Sequence, residues 1–339
     1  MKKFFVRNEK IAVLGAGSWG TTLAILLSRR HKVKVWDYDK EQCDKMNRER
    51  ENKKFLPGVA IPEKIFFSSD ADEILYKSNI VIFAIPTHFI RSVLKNTWDK
   101  VRNKILINVA KGIENKSLKR ISEILYETTE NPDIYTLSGP SHAEEVSRKV
   151  PTTVVIAGLN NDLRKLRYLQ KIFITEYFRV YTNEDITGVE LGGSLKNIIA
   201  IACGISDGLG FGSNTKAALM TRGLAEIQRL GIKMGAQAQT FAGLAGIGDL
   251  ITTCISPFSR NRYVGEELGK GRKIRDILDG MVMVAEGVKT TLSAYSLAQK
   301  HKVNMPIIEE VHHIIYRKKN TLKAVKALMT RDPKPEHWR

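Results

Sequence analysis

The first half of the chain alternates between short apolar runs and longer segments with helical spacing. Most of the runs show no polar alternation, which is typical of parallel strands buried on both faces. They predict strands at residues 11–14, 32–36, 65–67, 79–84, 104–108, 134–137, 151–157 and 178–181. The segments between them predict helices at residues 21–29, 41–52, 70–76, 88–100, 117–127 and 162–173. Strands that alternate with helices predict a doubly wound, mainly parallel α/β sheet.

From residue 187 onward the apolar positions follow helical spacing throughout. They predict helices at residues 191–205, 215–234, 240–250, 259–270, 289–300 and 307–316. We therefore expect two domains, an α/β domain at residues 1–186 and an all-α domain at residues 187–339. A ligand cleft between two such domains is the default expectation.

A glycine-rich turn follows the first predicted strand. Gly15, Gly17 and Gly20 have the spacing G-x-G-x-x-G and lead directly into the first predicted helix. In this context the first glycine makes a tight turn, the second lets the backbone approach a pyrophosphate, and the third lets the helix lie close to the strand. The free N–H groups at the start of the helix favour phosphate. The context favours a dinucleotide-binding, Rossmann-like first domain over a merely structural turn.

Acidic residues end the second predicted strand. Asp37 and Asp39 lie about twenty residues beyond the glycines, where a carboxylate suits the ribose hydroxyls of an adenosine. Asp37 is the better placed of the two, and either would repel a 2′-phosphate. NAD(H) is therefore favoured and NADP(H) remains possible. The alternative is that both residues are surface charges at the end of a strand.

Charge adds one further expectation. The chain has 54 Lys and Arg against 36 Asp and Glu, a formal net charge of +18. Such a balance favours anionic ligands. The basic residues are scattered along the chain and no nucleic-acid-binding motif is present, so a solvated basic surface is preferred to nucleic-acid binding.

The cysteines and the apolar segments indicate the compartment. Cys43, Cys203 and Cys254 are far apart in sequence and form no C-x-x-C pair, so neither a disulfide framework nor a zinc site is expected. The apolar run at residues 198–203 is too short to span a bilayer. We expect a cytoplasmic protein without a metal or membrane insertion. A homodimer remains possible, because an apolar helical domain can contribute an interface.

Several polar residues follow predicted strands or begin helices. Lys111 and the turn at residues 138–144 lie where two strands end, Lys196 begins an apolar helix, and Asp249 and Arg260 lie further along. Taken separately, each has an ordinary interpretation as a surface cation or a helix cap.

Together, the motifs resemble those of the NAD(P)-dependent sn-glycerol-3-phosphate dehydrogenase family. The resemblance covers nearly the whole chain in the family's order and spacing. The motifs are at residues 15–20 (GAGSWG), 111–114 (KGIE), 137–145 (LSGPSHAEE), 189–197 (VELGGSLKN), 243–250 (GLAGIGDL) and 259–261 (SRN). The resemblance implies reversible NAD(P)H-dependent reduction of dihydroxyacetone phosphate to sn-glycerol 3-phosphate, a precursor of glycerophospholipids.

The resemblance also implies roles for individual residues. Lys196 is implied as proton donor and acceptor. Substrate contacts are implied for Lys111, Gly139, Ser141, Lys196, Asn197, Asp249, Thr253, Ser259, Arg260 and Asn261. Besides Gly15, Gly17, Gly20 and Asp37, cofactor contacts are implied or expected for Ser18, Trp19, Tyr38, Asp39, Lys111, Ala143, Arg260, Val284 and Glu286. Family members commonly carry basic residues where this chain has Tyr38 and Asp39, which agrees with a preference for NAD(H).

Elementary chemistry supports such a site. A ketone that accepts hydride develops negative charge on oxygen, which an ammonium at Lys196 could stabilise and protonate. Burial or a nearby Lys111 would lower the pKa of Lys196, whereas a close Asp249 would raise it. Arg260 and Asn261 offer donors for a phosphate.

The alternatives are a related dehydrogenase acting on another small hydroxy acid or phosphate, a cofactor-binding protein without catalysis, and a basic nucleic-acid-binding module.

Overall fold

The computed structural model of the chain describes residues 8–160, 162–333 and 335–336. The strands, in chain order, are β1 (Lys10–Leu14), β2 (Lys32–Trp36), β3 (Glu51–Asn52), β4 (Leu56–Ala60), β5 (Phe66–Ser68), β6 (Ile80–Phe83), β7 (Ile105–Asn108), β8 (Ile134–Ser138), β9 (Thr152–Gly158) and β10 (Phe178–Asn183). The helices of the α/β part are α1 (Ser18–Ser28), α2 (Lys40–Glu49), α3 (Ala71–Leu75), α4 (Ile90–Val101), α5 (Ile121–Thr129), α6 (Ala143–Ser147) and α7 (Leu163–Phe173).

The rest of the chain is helical. It comprises α8 (Ile186–Gly208), α9 (Ser213–Lys233), α10 (Ala238–Phe241), α11 (Asp249–Ile255), α12 (Arg260–Gly269), α13 (Ile274–Asp279), α14 (Glu286–His301), α15 (Pro306–Arg317) and α16 (Thr321–Met329). A π-helical turn at Leu244–Gly248 leads into α11. The expected α/β part followed by an all-α part is confirmed.

The main sheet has the strand order β10-β9-β8-β7-β6-β1-β2-β5. Its pairs are parallel except β8 with β9, which is antiparallel. The carboxyl ends of β1, β6, β7 and β8 therefore meet at one edge, which is where doubly wound sheets bind their ligands. A mainly parallel, doubly wound sheet is confirmed.

Some predicted elements differ from the structure. The helix predicted at residues 41–52 is shorter in the structure, because α2 ends at Glu49. Its last two predicted residues form β3 instead, which pairs antiparallel with β4. The single helix expected at residues 240–250 is interrupted after α10 by Gly243 and the π-helical turn. Helix α8 begins at Ile186, five residues before the predicted start, where the side chain of Asp185 caps it by accepting from the backbone N of Gly188.

Helix α8 is the core of the helical part. Its length and composition would suit a membrane span, but that stretch is entirely buried within the protein, as in the core helix of a globular fold. One further stretch is long and apolar enough for a membrane span only if two segments are counted together, Ala238–Ile255 and Arg260–Gly269. These two segments are bent by 51° relative to each other. Close approach of α12 requires small residues, since a Cβ on Gly265 would lie 2.0 Å from the carbonyl oxygen of Ile201.

A buried ion pair joins α8 to the α/β part. The Glu190 carboxylate accepts hydrogen bonds from Nη1 of Arg120 at 2.8 Å and from the backbone N of Ser122 at 2.9 Å. Both charged side chains are nearly inaccessible to solvent. Because a buried charge without its partner is strongly destabilising, this contact fixes the first turns of α8 against α5.

Candidate active site

The glycine turn has the geometry of a dinucleotide-binding loop. Gly15 has φ +109°, and a Cβ there would lie 2.7 Å from the carbonyl oxygen of Ala84 at the end of β6. A Cβ on Gly20 would lie 1.9 Å from the carbonyl oxygen of Gly15, so α1 can pack on the turn only with glycine there. A Cβ on Gly17 would meet no atom within 4 Å. The space before Gly17 is open, and the residues present therefore fit a pyrophosphate.

Asp37 lies beside this turn. Its carboxylate accepts hydrogen bonds from the backbone N of Ala16 at 2.8 Å and of Asp39 at 3.2 Å. Burial raises the pKa of Asp37, although these two hydrogen bonds oppose the shift. Asp37 thus braces the glycine turn, and each of its oxygens retains a lone pair for a ligand. Tyr38 is 79% exposed, and Asp39 caps α2 by accepting from the backbone N of Gln42.

Ser18, Trp19 and Ala143 are brought together near the turn. Thr22 Oγ1 donates to the carbonyl oxygens of Ser18 at 2.8 Å and Ala143 at 3.3 Å, which joins the start of α1 to the start of α6. The indole of Trp19 packs against the small cluster that contains Ala143 and two side chains of β4, Leu56 and Val59.

A cluster of charged side chains lies at the carboxyl edge of β7 and β8. Lys196 Nζ donates to Asp249 Oδ1 at 2.7 Å, and Lys111 Nζ donates to Asp249 Oδ2 at 2.7 Å. Lys196 also donates to the hydroxyl of Thr253, which in turn donates to the carbonyl oxygen of Asp249 at 2.7 Å. Lys111 reaches the carbonyl oxygen of Gly139 at 2.9 Å. The cluster joins residues that are far apart in the sequence.

Burial and charge set the protonation of this cluster. Lys196 is 5% exposed and Asp249 is 1% exposed. Burial lowers the pKa of Lys196 to about 8, with Asp249 acting to raise it and Lys111 to lower it. Burial acts to raise the pKa of Asp249, but the ammonium groups of Lys111 and Lys196 outweigh it and hold that pKa below its usual value. The question left open by the sequence is thereby answered: desolvation of Lys196 outweighs its carboxylate partner.

An amide chain extends from the cluster to α12 and α14. Asn197 Nδ2 donates to the carbonyl oxygen of Lys111 at 3.2 Å, and Asn261 Nδ2 donates to Asn197 Oδ1 at 3.0 Å. Asn261 Oδ1 then accepts from the backbone N of Gly287 at 2.9 Å. These contacts hold the start of α12, capped by Ser259, beside the lysines.

The remaining predicted contacts lie around this chain. Arg260 is exposed, and its Nη1 donates to the carbonyl oxygen of Val284 at 3.0 Å. Glu286 Oε1 accepts from the backbone N of Thr87, which follows β6. Ser141 Oγ donates to the carbonyl oxygen of Gly139, where φ is +128°. The site residues predicted from the helical part therefore lie against the edge of the sheet.

Three polar residues at this edge had no role in the sequence-based prediction. Within the described part of the chain, Thr87 Oγ1, Ser138 Oγ and His142 Nε2 are buried, and Ser138 Oγ has no hydrogen-bond partner. Burial, with the ammonium groups of Lys196 and Lys111, lowers the pKa of His142 to about 4, so this imidazole is neutral near pH 7. Thr87 and Ser138 follow or end sheet strands, a position that could have marked them as site residues.

Comparison with known proteins gives a consistent result. The family pattern for the NAD-dependent glycerol-3-phosphate dehydrogenase N-terminus matches residues 10–164, and that for the C-terminus matches residues 185–326. The chain is 53% identical to a glycerol-3-phosphate dehydrogenase (NAD(P)+) of Thermoanaerobacter sp. strain X514 over 331 residues, which are 96% of this chain and 98% of the relative. A relative of the same name from Citrifermentans bemidjiense is 50% identical over 97% of this chain and 99% of its own.

Solved structures agree. The crystal structure of glycerol-3-phosphate dehydrogenase from Coxiella burnetii superposes with a TM-score of 0.91 at 36% identity, covering 96% of this chain and 99% of the other. The glycerol-3-phosphate dehydrogenase structure from Saccharomyces cerevisiae superposes with a TM-score of 0.80 at 26% identity, covering 94% and 99% of the two chains. With both family patterns matched in order and with relatives alike over nearly their full length, the chain belongs to the NAD-dependent glycerol-3-phosphate dehydrogenase family.

Proposed function

We propose that this chain reversibly reduces dihydroxyacetone phosphate to sn-glycerol 3-phosphate with a nicotinamide cofactor, and that Lys196 exchanges the proton. The observation that carries the proposal is the buried Lys196–Asp249–Lys111 cluster at the ligand-binding edge of the sheet. Close contacts link the cluster to the glycine turn through the end of β6. Gly15 lies against Ala84, directly after β6, and Gly112, next to Lys111, lies against Thr87 a few residues further on.

The donor geometry of Lys196 suits proton transfer to a carbonyl oxygen. An ammonium has three N–H donors. Among the described residues, Asp249 and Thr253 accept two of those of Lys196, which leaves one for a substrate oxygen. A reduced nicotinamide supplies a hydride when bound. As the carbonyl carbon accepts that electron pair, the C=O π bond breaks and the oxygen takes the proton from Lys196, which is left as a neutral amine.

The reverse reaction uses the same group. Burial lowers the pKa of Lys196 to about 8, so a useful fraction of the side chain is neutral just above neutral pH and can accept the alcohol proton. Asp249 fixes both lysines, and Lys111 adds a second positive charge that stabilises developing negative charge on the oxygen.

The phosphate of the substrate requires donors beyond the lysine cluster. Arg260 is exposed at the start of α12, and its guanidinium offers a planar set of N–H donors. The amide chain through Asn197 and Asn261 holds this end of α12 beside the cluster. We assign phosphate binding to Arg260, with Ser259 and Asn261 positioning it, and substrate contacts to Gly139 and Ser141.

The cofactor contacts follow the predicted division. The glycine turn with Ser18, Trp19 and Ala143 takes the pyrophosphate side, and Asp37, Tyr38 and Asp39 take the adenosine ribose. We propose a preference for NAD(H) over NADP(H) because carboxylates repel a 2′-phosphate. Val284 and Glu286, joined to Arg260 and Thr87 respectively, are proposed to close the nicotinamide side.

The proposed setting of the reaction is phospholipid synthesis in the cytoplasm, where the product supplies the glycerol backbone. The buried cysteines are all unpaired, which is compatible with a reducing compartment. The homodimer and the domain boundary at residue 187 stay predictions.

The decisive experiment is an NADH oxidation assay with several ketones. We expect turnover with dihydroxyacetone phosphate and little with dihydroxyacetone, which lacks the phosphate. The Arg260→Ala variant should raise KM for the phosphorylated ketone by about 100-fold, since a charge-assisted bidentate contact is lost. Equal turnover of both ketones, or an unchanged KM in the variant, would contradict a phosphate substrate held by Arg260.

A further inference from the structure

The β3–β4 hairpin, which the sequence did not predict, is fixed to the glycine turn. Asn52 is fully buried, and its Nδ2 donates to the carbonyl oxygen of Ala16 at 2.8 Å and to Thr21 Oγ1 at 2.9 Å. Ala16 lies inside the turn itself, and Thr21 lies in the first turn of α1. The start of the hairpin is therefore held directly on the backbone that is expected to receive the cofactor phosphates.

The other strand of the hairpin is fixed as well. Leu56 and Val59 pack with Ala143, and Trp19 packs against the same cluster. The connection between the strands is short, and the backbone N of Phe55 donates to Asn52 Oδ1 at 3.2 Å. The residues at the tip, 53–55, thus have a defined position relative to the glycine turn.

Lys54 places a positive charge at this tip. Its ammonium lies 5.1 Å from the ring centroid of Phe55, and its charge acts in the direction of a lower pKa for Asp37, although burial raises that pKa overall. Within the described part of the chain Lys54 forms no salt bridge, whereas the neighbouring Lys53 pairs with Glu49 at 3.1 Å. Asp37 meanwhile accepts backbone N–H groups on both of its oxygens. The Lys54 charge is available to an anion on the adenosine side of the site.

We propose that Lys54 binds a phosphate of the cofactor, so that the β3–β4 hairpin is part of the cofactor site. The inference rests on the proposed use of a nicotinamide dinucleotide. Such a ligand offers two phosphate positions: the pyrophosphate, shared by NAD(H) and NADP(H), and the 2′-phosphate, present only in NADP(H). A cation near Asp37 offsets the repulsion that the carboxylates after β2 exert on a 2′-phosphate, and a cation near the glycine turn complements N–H groups that carry only partial charge.

The test is calorimetric titration of the full chain with NADH, NADPH and 2′,5′-ADP, without substrate. Wild type is compared with Lys54→Ala, with Lys54→Arg, which keeps the charge, and with the matched control Lys53→Ala. We expect Lys54→Ala to weaken binding roughly tenfold, as for loss of a charged contact, with Lys54→Arg close to wild type and Lys53→Ala unchanged. Lys54 is exposed, so the variants should fold, which circular dichroism checks.

The ligands distinguish the two phosphates. A loss confined to NADPH and 2′,5′-ADP assigns Lys54 to the 2′-phosphate, and an equal loss for NADH and NADPH assigns it to the pyrophosphate. Unchanged binding in Lys54→Ala, or an equal loss in Lys53→Ala, overturns the inference and leaves the proposed function intact. Failure of wild type to bind either dinucleotide would instead overturn the proposed function.

Discussion

The glycine turn after β1 and the lysine cluster beside α8 are proposed to serve one site, and they are built in opposite ways. The turn spans residues 15–20, carries no charged side chain, and offers backbone N–H groups and open space. The cluster joins Lys111, which follows β7, Lys196 of α8, and Asp249 and Thr253 of α11, and it places two ammonium groups on one buried carboxylate. Binding at the turn should depend on free volume and on the path of the backbone. The chemistry of the cluster should depend on charged groups that are shielded from water.

This difference predicts different sensitivities. A change of one methyl group should matter most in the turn, where backbone atoms approach closely. A change of charge at constant size should matter most in the cluster, where each ionised group relies on its neighbours. The following experiments test that contrast, beginning with the largest expected effect.

Lys196→Ala should lower kcat by about 1,000-fold, which is within the range for loss of a general acid–base group. NADH affinity should stay within about twofold, because the glycine turn remains intact. Stopped-flow turnover and NADH titration measure the two quantities. Lys233→Ala, an exposed cation at the end of α9, is the matched control and should behave as wild type. Substantial turnover in Lys196→Ala would refute the role of the lysine.

Asp249→Asn removes the charge and keeps the size. Because Asp249 acts to raise the pKa of Lys196, its loss should lower that pKa further and leave less ammonium at neutral pH. We expect kcat/KM for ketone reduction to fall by about 100-fold and its pH profile to move to lower pH. A variant that loses activity with an unmoved pH profile would indicate a purely structural carboxylate.

Substitutions at two glycines of the turn should affect different quantities, the stability of the fold in one case and the affinity for NADH in the other. Gly20→Ala places a Cβ 1.9 Å from the carbonyl oxygen of Gly15, so it should reduce the free energy of unfolding by about 2–3 kcal/mol. A Cβ on Gly17 meets nothing within 4 Å, so Gly17→Ala should fold normally and bind NADH about tenfold more weakly. Chemical denaturation and NADH titration measure both. The opposite pattern would contradict the assignment of the open space to a pyrophosphate.

The smallest expected effect is the pH dependence of the reaction rate in the wild-type protein. Burial lowers the pKa of Lys196 to about 8, so the ammonium needed for reduction is lost as the pH rises through that value. The rate of reduction should fall to about half between pH 7 and pH 8, whereas the rate of alcohol oxidation should rise over the same range. Initial rates in both directions measure this. Flat profiles up to pH 10 would show that Lys196 keeps its ordinary pKa.

The same contrast explains what the sequence could predict. The strands of the main sheet lie within about two residues of their predicted bounds, because these bounds depend on neighbouring residues. The glycine turn is local in the same sense. Thr253, four residues after Asp249, lies on the same face of α11 and contacts both Asp249 and Lys196.

Contacts between distant segments were not predictable in this way. The pairing of Lys111 with Asp249 joins residues 138 positions apart, and no local pattern specifies it. The start of α8 was predicted five residues too late, because Gly188 lies among the missed residues and glycine disfavours helix unless packing requires it; a Cβ on Gly188 would lie 2.2 Å from Asp185 Oδ2. The β3–β4 hairpin was missed because Pro57 and Gly58 resemble a simple break.

The buried Glu190 has a mechanical consequence. It precedes Lys196 by six residues on the same helix, which is about 9 Å of rise. With Glu190 held by Arg120 and Ser122, the helical segment that carries the amine is fixed to α5 of the α/β part, which also contains the glycine turn. We therefore expect the distance between Lys196 and the glycine turn to be preset by folding.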